Sequence, residues 1–420
     1  MLAAVRRPAE LVGEVALHGD KSISHRALML NAVASGEARL RGLSPGADVA
    51  STGACLRALG VYVEAGHVRG VGLDGLRPAP GALDCGNSGT TMRLLAGLLA
   101  GRPFETELRG DASLSARPMD RVVEPLRGMG ARASWPPLRV GGERALRGKQ
   151  HVLAVPSAQV KSALLLAGLA AEGATSVTEP EQTRNHTELM LAAMGAPVEA
   201  DGLTVRVRPA RELAPLDVTV PGDLSAAAFW MILAGCHPRA SLRLPAVGVN
   251  PTRSAVLGVL ARAGLVVRTG AVRLEGEEPV ADLEMGSAGE RRPFLIAAPA
   301  SGHLIDELPV LAVLAAVTPG RSRITGAAEL RVKESDRIAA MAAGLAAMGA
   351  RVTELSDGWE IEGGRLEGAR VDPRRDHRVA MALAVAGSLA EGVTEIEDAE
   401  CAEISDPGFW ETLARAGAAC

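Results

Sequence analysis

Residues 21–42 read "KSISHRALMLNAVASGEARLRG", an apolar helix that opens on cations. The stretch packs Lys21, Ser22, Ser24, His25 and Arg26 into six positions and then turns almost wholly apolar. A helix start favours anions, because its free N–H groups and its dipole already present positive charge there. Lys and Arg at that end cost local stability unless an anionic group from outside completes the arrangement. The pattern also recurs along the chain. The copies are "NSGTTMRLLAGLLAGRPFETELRG" from Asn87, "SAQVKSALLLAGLAAEGATSVTEP" from Ser157, "DLSAAAFWMILAGCHPRASLRLP" from Asp223, "DELPVLAVLAAVTPGRSRITG" from Asp306 and "DHRVAMALAVAGSLAEGVTEIED" from Asp376.

A second, more polar helix follows in each copy and ends in a similar turn, with Gly60, Gly130, Gly195, Gly264, Gly349 and Gly417 at the position where a left-handed C-cap favours glycine. The chain is therefore six copies of one α/β unit about 70 residues long, each reading helix, strand, helix, strand with further short strands. No copy can bury its apolar helix alone, so the copies are expected to pack on one another. Five of the six begin with an N-cap type residue, and four add charged groups: Lys21, His25 and Arg26; Arg93; Lys161; and Asp376, His377 and Arg378. If the copies surround a common axis, these ends converge on a site for more than one phosphate or carboxylate.

Composition limits the alternatives. At 420 residues, 47% apolar and 22% charged, the chain fits two folded domains rather than a disordered one. A formal net charge of -4 and 2% aromatic content argue against a nucleic-acid partner, so any cationic site is local. Cys55, Cys85, Cys236, Cys401 and Cys420 form no C-x-x-C pair and have no His at ligand spacing, which argues against zinc and disulfides and for a reducing cytoplasm. The start "MLAAVRRPAELVGEV" lacks a signal-peptide core, and no apolar run has the length of a membrane span.

Four further stretches carry chemistry. "LRVKESDRIAAM" (330–341) sets Lys333 and Arg337 on one helical face beside Glu334 and Asp336, a pattern that a solvated salt-bridged helix start also gives. "LDCGNSGTTMRLL" (83–95) is a small-residue loop opening a helix, suited to backbone N–H groups approaching an anion, without the G-K-[ST] of a P-loop. "DASLSARPMDR" places Arg117 before Pro118, where an extended backbone can aim a cation. "EQTRNHTELML" puts Arg184 and His186 just before another helix, an arrangement that is also common on surfaces.

Taken together, "GDKSISHR", "GNSGTTMR", "SAQVKSALLLAGL", "TRNHTE", "GDLSAAAF", "LRVKESDRI" and "DHRVAMA" resemble the 5-enolpyruvylshikimate-3-phosphate synthase family, in the right order from residue 19 to about 390. "SAQVKSALLLAGL" and "TRNHTE" look more like its bacterial, glyphosate-tolerant subclass. The resemblance implies a two-domain inside-out α/β barrel fold, each domain three copies of a βαβαββ-like unit. Residues 1–18 with 223–420 would form one domain and 19–222 the other, with hinges near 17–20 and 220–223 and the active site in the cleft between them. It also implies transfer of enolpyruvyl from phosphoenolpyruvate to the 5-hydroxyl of shikimate 3-phosphate by addition and elimination, in a cytoplasmic monomer. No metal, nucleotide, prosthetic group, nucleic acid or membrane is implied.

On the matching positions, the resemblance assigns shikimate 3-phosphate to Lys21, Ser22, Arg26, Ser157, Ala158, Gln159, Arg184, Asp306 and Lys333. Phosphoenolpyruvate would fall to Lys21, Asn87, Gly89, Arg93, Arg117, Gln159, Lys333, Arg337, His377 and Arg378, whose guanidinium forks suit phosphate and carboxylate. Asp306 would take the hydroxyl proton and Glu334 would protonate the methylene carbon, with Lys21 and His377 nearby. Pattern alone also allows Asp306 as a plain N-cap. The tail "ECAEISDPGFWETL" departs from the family at Ile404 and Asp406, where many relatives carry a lysine or a Ser-Phe-Pro run, and Asn185 replaces a common Asp. Gly89 stands where an alanine shields some relatives from glyphosate, so sensitivity is expected. Two rivals remain. The sister transferase acting on UDP-N-acetylglucosamine opens with Lys-Asn and carries a loop cysteine, which this chain lacks; a non-catalytic metabolite-binding domain would not need Asp306 and Glu334. An RNA-end-processing enzyme is disfavoured by the acidic charge.

Overall fold

A computed structural model describes residues 1–142 and 146–417; Cys420 lies outside the described residues. The chain divides into two compact units, residues 1–18, 221–273 and 279–420 in the first and 19–220 with 274–278 in the second. The first resumes at Pro221 rather than at Asp223, because the Gly222 N–H donates to Ala246 O at 2.8 Å and Gly248 N donates back to Gly222 O at 2.9 Å. The excursion 274–278 is absent from the sequence reading. Its Glu278 carboxylate is hydrogen-bonded to His186 Nδ1 at 2.6 Å.

Each unit is built around three helices. In the second unit these are Lys21–Ala32, Gly89–Leu99 and Ala158–Gly168. In the first they are Leu224–Cys236, Leu308–Val317 and His377–Gly387. Every residue of Leu308–Val317 and of His377–Gly387 is buried, as a helix apolar on all faces must be. The sheets lie outside these helices, one per repeat, so the helices and not the strands form each centre.

The repeat 83–141 shows the unit: strand Leu83–Asp84, the Gly89 helix, strand Glu105–Arg109, helix Asp120–Gly128, then strands Ala133–Ser134 and Leu138–Gly141. Its sheet pairs the edge strand parallel and the others antiparallel. The same order recurs in the sheets around Thr175–Thr178, Glu37–Arg41 and Gly320–Ile324. Strand Val218–Thr219 returns to pair parallel with Leu40 and Arg41, closing the second unit's first sheet with its last residues. In the first unit, strand Leu11–Glu14 pairs parallel with Ala240–Arg243. The sixth copy has a three-stranded sheet, in which Ala3–Arg6 runs antiparallel to Val393–Ile396.

Five of the six expected turn glycines, Gly60, Gly130, Gly195, Gly264 and Gly349, have φ between +81° and +97°. Gly417 instead ends the Phe409–Gly417 helix. Two of the second unit's central helices approach closely at Gly97: a Cβ there would sit 2.8 Å from Ala163 Cα and closer still to its carbonyl oxygen. Gly97→Ala should therefore destabilise the protein by about 1–3 kcal/mol in urea unfolding, since backbone must move to admit the methyl. A gain in stability, as a freely exposed helical Gly→Ala gives, would refute that packing.

Candidate active site

The central helices are capped by their own sequence. Asp20 accepts from Ile23 N, Ser88 from Thr91 N, Ser157 from Val160 N, Asp223 from Ser225 N and Asp376 from Arg378 and Val379 N. The caps fall one residue from two expected positions, on Asp20 before Lys21 and on Ser88 after Asn87. Asp306 is not a cap: Glu307 holds that position and makes no side-chain cap bond. Lys21, Gly89, Ala158 and His377 thus begin their helices, where backbone N–H groups have no intrahelical acceptor.

In the second unit Lys21 Nζ is ion-paired with Asp48, a partner the sequence did not single out. Arg26, 3% exposed, donates to Thr187 Oγ1 at 2.7 Å, Ser162 Oγ at 2.8 Å and Ser22 O at 2.9 Å. Burial pushes its pKa down to about 10, with Glu188 opposing that shift. Arg184 Nη1 donates to the Ser22 hydroxyl at 3.1 Å. Ser22, Arg26 and Arg184 are therefore one bonded cluster, joined by Ser162 and Thr187. Ser162 lies inside the quoted "SAQVKS", so its hydroxyl was the available signal.

Around the Gly89 helix start, Arg93 Nη1 donates to Gln159 Oε1 at 2.7 Å, and Gln159 Nε2 to Thr90 Oγ1 at 2.9 Å. Arg117 Nη2 donates to Asn87 Oδ1 at 2.6 Å, and Asn87 Nδ2 to Asp111 Oδ2 at 2.7 Å. A Cβ on Gly89 would lie 2.7 Å from Arg93 Nη1 and 3.5 Å from Arg117 Nη1, so this glycine is flanked by both guanidiniums. Asn87, Gly89, Arg93, Arg117 and Gln159 form the second cluster of this unit.

Two charged residues expected at these starts are elsewhere. His25 is fully buried, with Nδ1 2.7 Å from Thr52 Oγ1, and burial pushes its pKa down to about 3. Lys161, 1% exposed, is ion-paired with Glu179 and Glu188. Both point into the core because they fall on the packed face of their helices, one turn past the cap.

In the first unit the "VKES" residues meet the start of the His377 helix. Arg337, 2% exposed, donates Nε to Asp376 Oδ2 at 2.8 Å and Nη2 to Glu334 Oε2 at 2.6 Å. Burial works against its charge, but Asp376 and Glu334 outweigh burial and raise its pKa, and Asp306 adds to the same field. Lys333 Nζ pairs with Glu329 Oε1 at 2.7 Å. His377 is buried, which pushes its pKa down to about 4, so its imidazole is neutral at pH 7. Arg378, 7% exposed, makes no hydrogen bond or ion pair through its guanidinium among the described residues; its Cζ lies 5.9 Å from the Phe229 ring centroid.

Asp406, at the departure in the tail, is a further neighbour of this group. Burial pushes its carboxyl up to about 6, against the pull of His18 and Arg378 and with the push of Asp223. Its partner Ile404 packs against the first unit's core. A carboxyl raised in the folded chain contributes stability that is full below the ordinary carboxylate range and is lost as pH rises through about 6. Asp406→Asn should then flatten the unfolding free energy between about pH 4 and pH 7 and exceed the parent by about 1–2 kcal/mol above that range. Parallel pH profiles for the two proteins would exclude a buried, titrating carboxyl.

Among the described residues no group of three His, Cys, Asp or Glu could hold a metal ion, and no helix is long and apolar enough to cross a membrane. Cys55, Cys85, Cys236 and Cys401 are buried free thiols.

Three copies of a βαβαββ unit in each of two units, with cations gathered at buried helix starts, define the enolpyruvyl transferase fold. The chain belongs to the EPSP synthase (3-phosphoshikimate 1-carboxyvinyltransferase) family, whose profile matches residues 5–413. A relative from Gloeobacter violaceus with the name 3-phosphoshikimate 1-carboxyvinyltransferase is 52% identical over 419 residues, 96% of each chain. One from Halorhodospira halophila with the same name is 51% identical over 418 residues, covering 97% of this chain and 94% of the relative. The solved EPSP synthase from Acinetobacter baumannii superposes with a TM-score of 0.89 at 40% identity, covering 99% of this chain and 98% of that one. The enolpyruvyl transferase NikO from Streptomyces tendae shares the fold, with a TM-score of 0.76 at 19% identity over 99% of this chain and 97% of that one.

Proposed function

We propose that the protein transfers the enolpyruvyl group of phosphoenolpyruvate to the 5-hydroxyl of shikimate 3-phosphate, releasing phosphate, as a cytoplasmic monomer. Family membership supports the reaction. The observation that carries it to these residues is Arg378, a buried cation whose guanidinium makes no hydrogen bond or ion pair among the described residues. Burying such a charge is costly unless a counter-anion completes it, and Arg337, Glu334 and His377 stand around the same helix start.

In this reading Lys21, Ser22, Arg26, Ser157, Ala158, Gln159 and Arg184 take shikimate 3-phosphate, together with Asp306 and Lys333. Arg26 contributes mainly as a buried charge that fixes Ser22, because three of its donors already have protein acceptors. Lys21, Asn87, Gly89, Arg93, Arg117, Gln159, Lys333, Arg337, His377 and Arg378 take phosphoenolpyruvate. Both sets serve one reaction. Asp306 accepts the 5-hydroxyl proton as the oxygen attacks C2 of phosphoenolpyruvate, and Glu334 delivers a proton to C3. The resulting tetrahedral adduct then loses a methyl proton and phosphate, which restores the double bond. Asp306 suits the base role as a carboxylate whose field already reaches Arg337. The Arg337 bond holds one oxygen of Glu334 and so fixes the direction of the carboxyl that delivers the proton.

Phosphate release that requires both substrates would establish the reaction, and Lys21→Ala should abolish it. Asp306→Asn should lower kcat by a factor of about 10² or more while shikimate 3-phosphate still binds, as expected for loss of a general base. Retained turnover would leave Asp306 structural, and phosphate release only with UDP-N-acetylglucosamine would move the chain to the sister reaction. Since Gly89 leaves room beside Arg93 and Arg117, glyphosate should compete with phosphoenolpyruvate; full activity in millimolar glyphosate would overturn that expectation.

A further inference from the structure

The second unit contains a buried ion triad that the proposed reaction does not use. Lys161 Nζ lies 2.6 Å from Glu179 Oε2 and 2.7 Å from Glu188 Oε1, with the three residues 1%, 3% and 7% exposed. Desolvating three charges is expensive, and an apolar trio of similar volume would be at least as stable. Glu188 Oε2 is moreover buried without a hydrogen-bond partner among the described residues, a cost that calls for a reason. Stability does not account for the triad. Its location does.

Each member lies in a different segment of the chain, and each segment carries a residue assigned above to shikimate 3-phosphate or bonded to one. Lys161 is in the Ala158–Gly168 helix, which begins at Ser157, Ala158 and Gln159. The next residue, Ser162, accepts from Arg26 Nη2. Glu188 is in the His186–Ala193 helix beside Thr187, which accepts from Arg26 Nε and is 2.7 Å from Ser162 Oγ. Glu179 follows the strand Thr175–Thr178 and opens the segment that leads to Arg184. Its carboxylate also accepts from Thr183 N at 3.4 Å and from the Thr183 hydroxyl, closing residues 179–183 into a turn immediately before Arg184. Arg184 then donates to Ser22 Oγ. Glu188 also opposes the pKa depression that burial imposes on Arg26.

We propose that Lys161, Glu179, Glu188 and Thr183 are positioning residues that fix Arg184 and Arg26 relative to the helix start at Ser157, setting the spacing of the groups that hold the phosphate of shikimate 3-phosphate. This rests on the substrate assignment above. An ionic tie specifies one geometry where an apolar contact would permit several. A displacement of about 1 Å at such a site can cost up to about 10²-fold. The triad's bonds run among Lys161, Glu179, Glu188 and Thr183, next in sequence to Ser162, Thr187 and Arg184, which bond Arg26 and Ser22, so its effect is expected on shikimate 3-phosphate first.

The test leaves the three charges in place. Thr183→Val removes the hydroxyl bond to Glu179 without stranding a buried ion, and Thr183→Ser restores it. In Thr183→Val, amide exchange of residues 180–185 should quicken, and the Kd for shikimate 3-phosphate, measured by calorimetry without phosphoenolpyruvate, should rise about tenfold. The KM for phosphoenolpyruvate should stay within about twofold, and Thr183→Ser should behave as the parent. Unchanged exchange, an unchanged Kd, or an equal loss for both substrates would overturn the proposal. Turnover by the parent protein, followed in parallel, tests the reaction on its own, so a chain that binds shikimate 3-phosphate without reacting would sink the reaction and leave this comparison standing.

Discussion

A helix that is apolar on every face can meet water on none of them, and that constraint organises both units. Leu308–Val317 is buried along its whole length, and Gly97 lets a neighbouring helix reach backbone contact at Ala163. Once the sides of three such helices are consumed by packing, only their ends can meet a ligand. The starts are the chemically useful ends, because their N–H groups lack intrahelical acceptors and favour anions. The gathering of polar residues at the helix starts of Lys21, Gly89, Ser157 and His377 is therefore a consequence of the way the core is filled.

The same constraint explains how much could be read from the sequence. Six apolar stretches with polar openings are visible as strings, and so are the turn glycines, because both follow from local rules of burial and backbone conformation. The polar residues inside those openings, on which the proposed site rests, stand out in the string for the same reason. Pairings made across long separations were not. Nothing in "AAVR" announces that Ala3–Arg6 will complete a sheet with Val393–Ile396, nor does Asp48 advertise itself as the partner of Lys21. Charge in a string also does not tell which face it takes. Lys161 and Lys21 look alike in their copies, yet one turn of helix places Lys161 in the core and leaves Lys21 at the first position. The Asp306 cap failed on a single residue, since Glu307 took the cap position and turned its carboxylate to the Ser225 hydroxyl instead.

Glu307 belongs to a network that mirrors the one in the second unit. Arg253, 5% exposed, donates to Ser225 Oγ at 2.6 Å and to Asp223 Oδ1 at 3.1 Å, and Ser225 donates to Glu307. Two helix starts, at Leu224 and Leu308, are thereby tied through side chains rather than through backbone. Asp306 sits beside one end of that tie. The repeat supplies the position of the helix start; the non-repeated polar residues supply its aim.

The cations at these starts differ in what holds them, and the difference bears on how an anion is received. Arg93 and Arg117 are held by the neutral amide oxygens of Gln159 and Asn87. Lys21 and Lys333 are held by the carboxylates of Asp48 and Glu329. A hydrogen bond to a charged acceptor is roughly twice as strong as one to a neutral acceptor, so each of these amide bonds holds its arginine less firmly than a carboxylate holds its lysine. Arg378 makes no hydrogen bond or ion pair through its guanidinium among the described residues. The group lies over the Phe229 ring in the field of His377 and Asp406, and the buried Asp406 carboxyl loses its charge as pH falls through about 6.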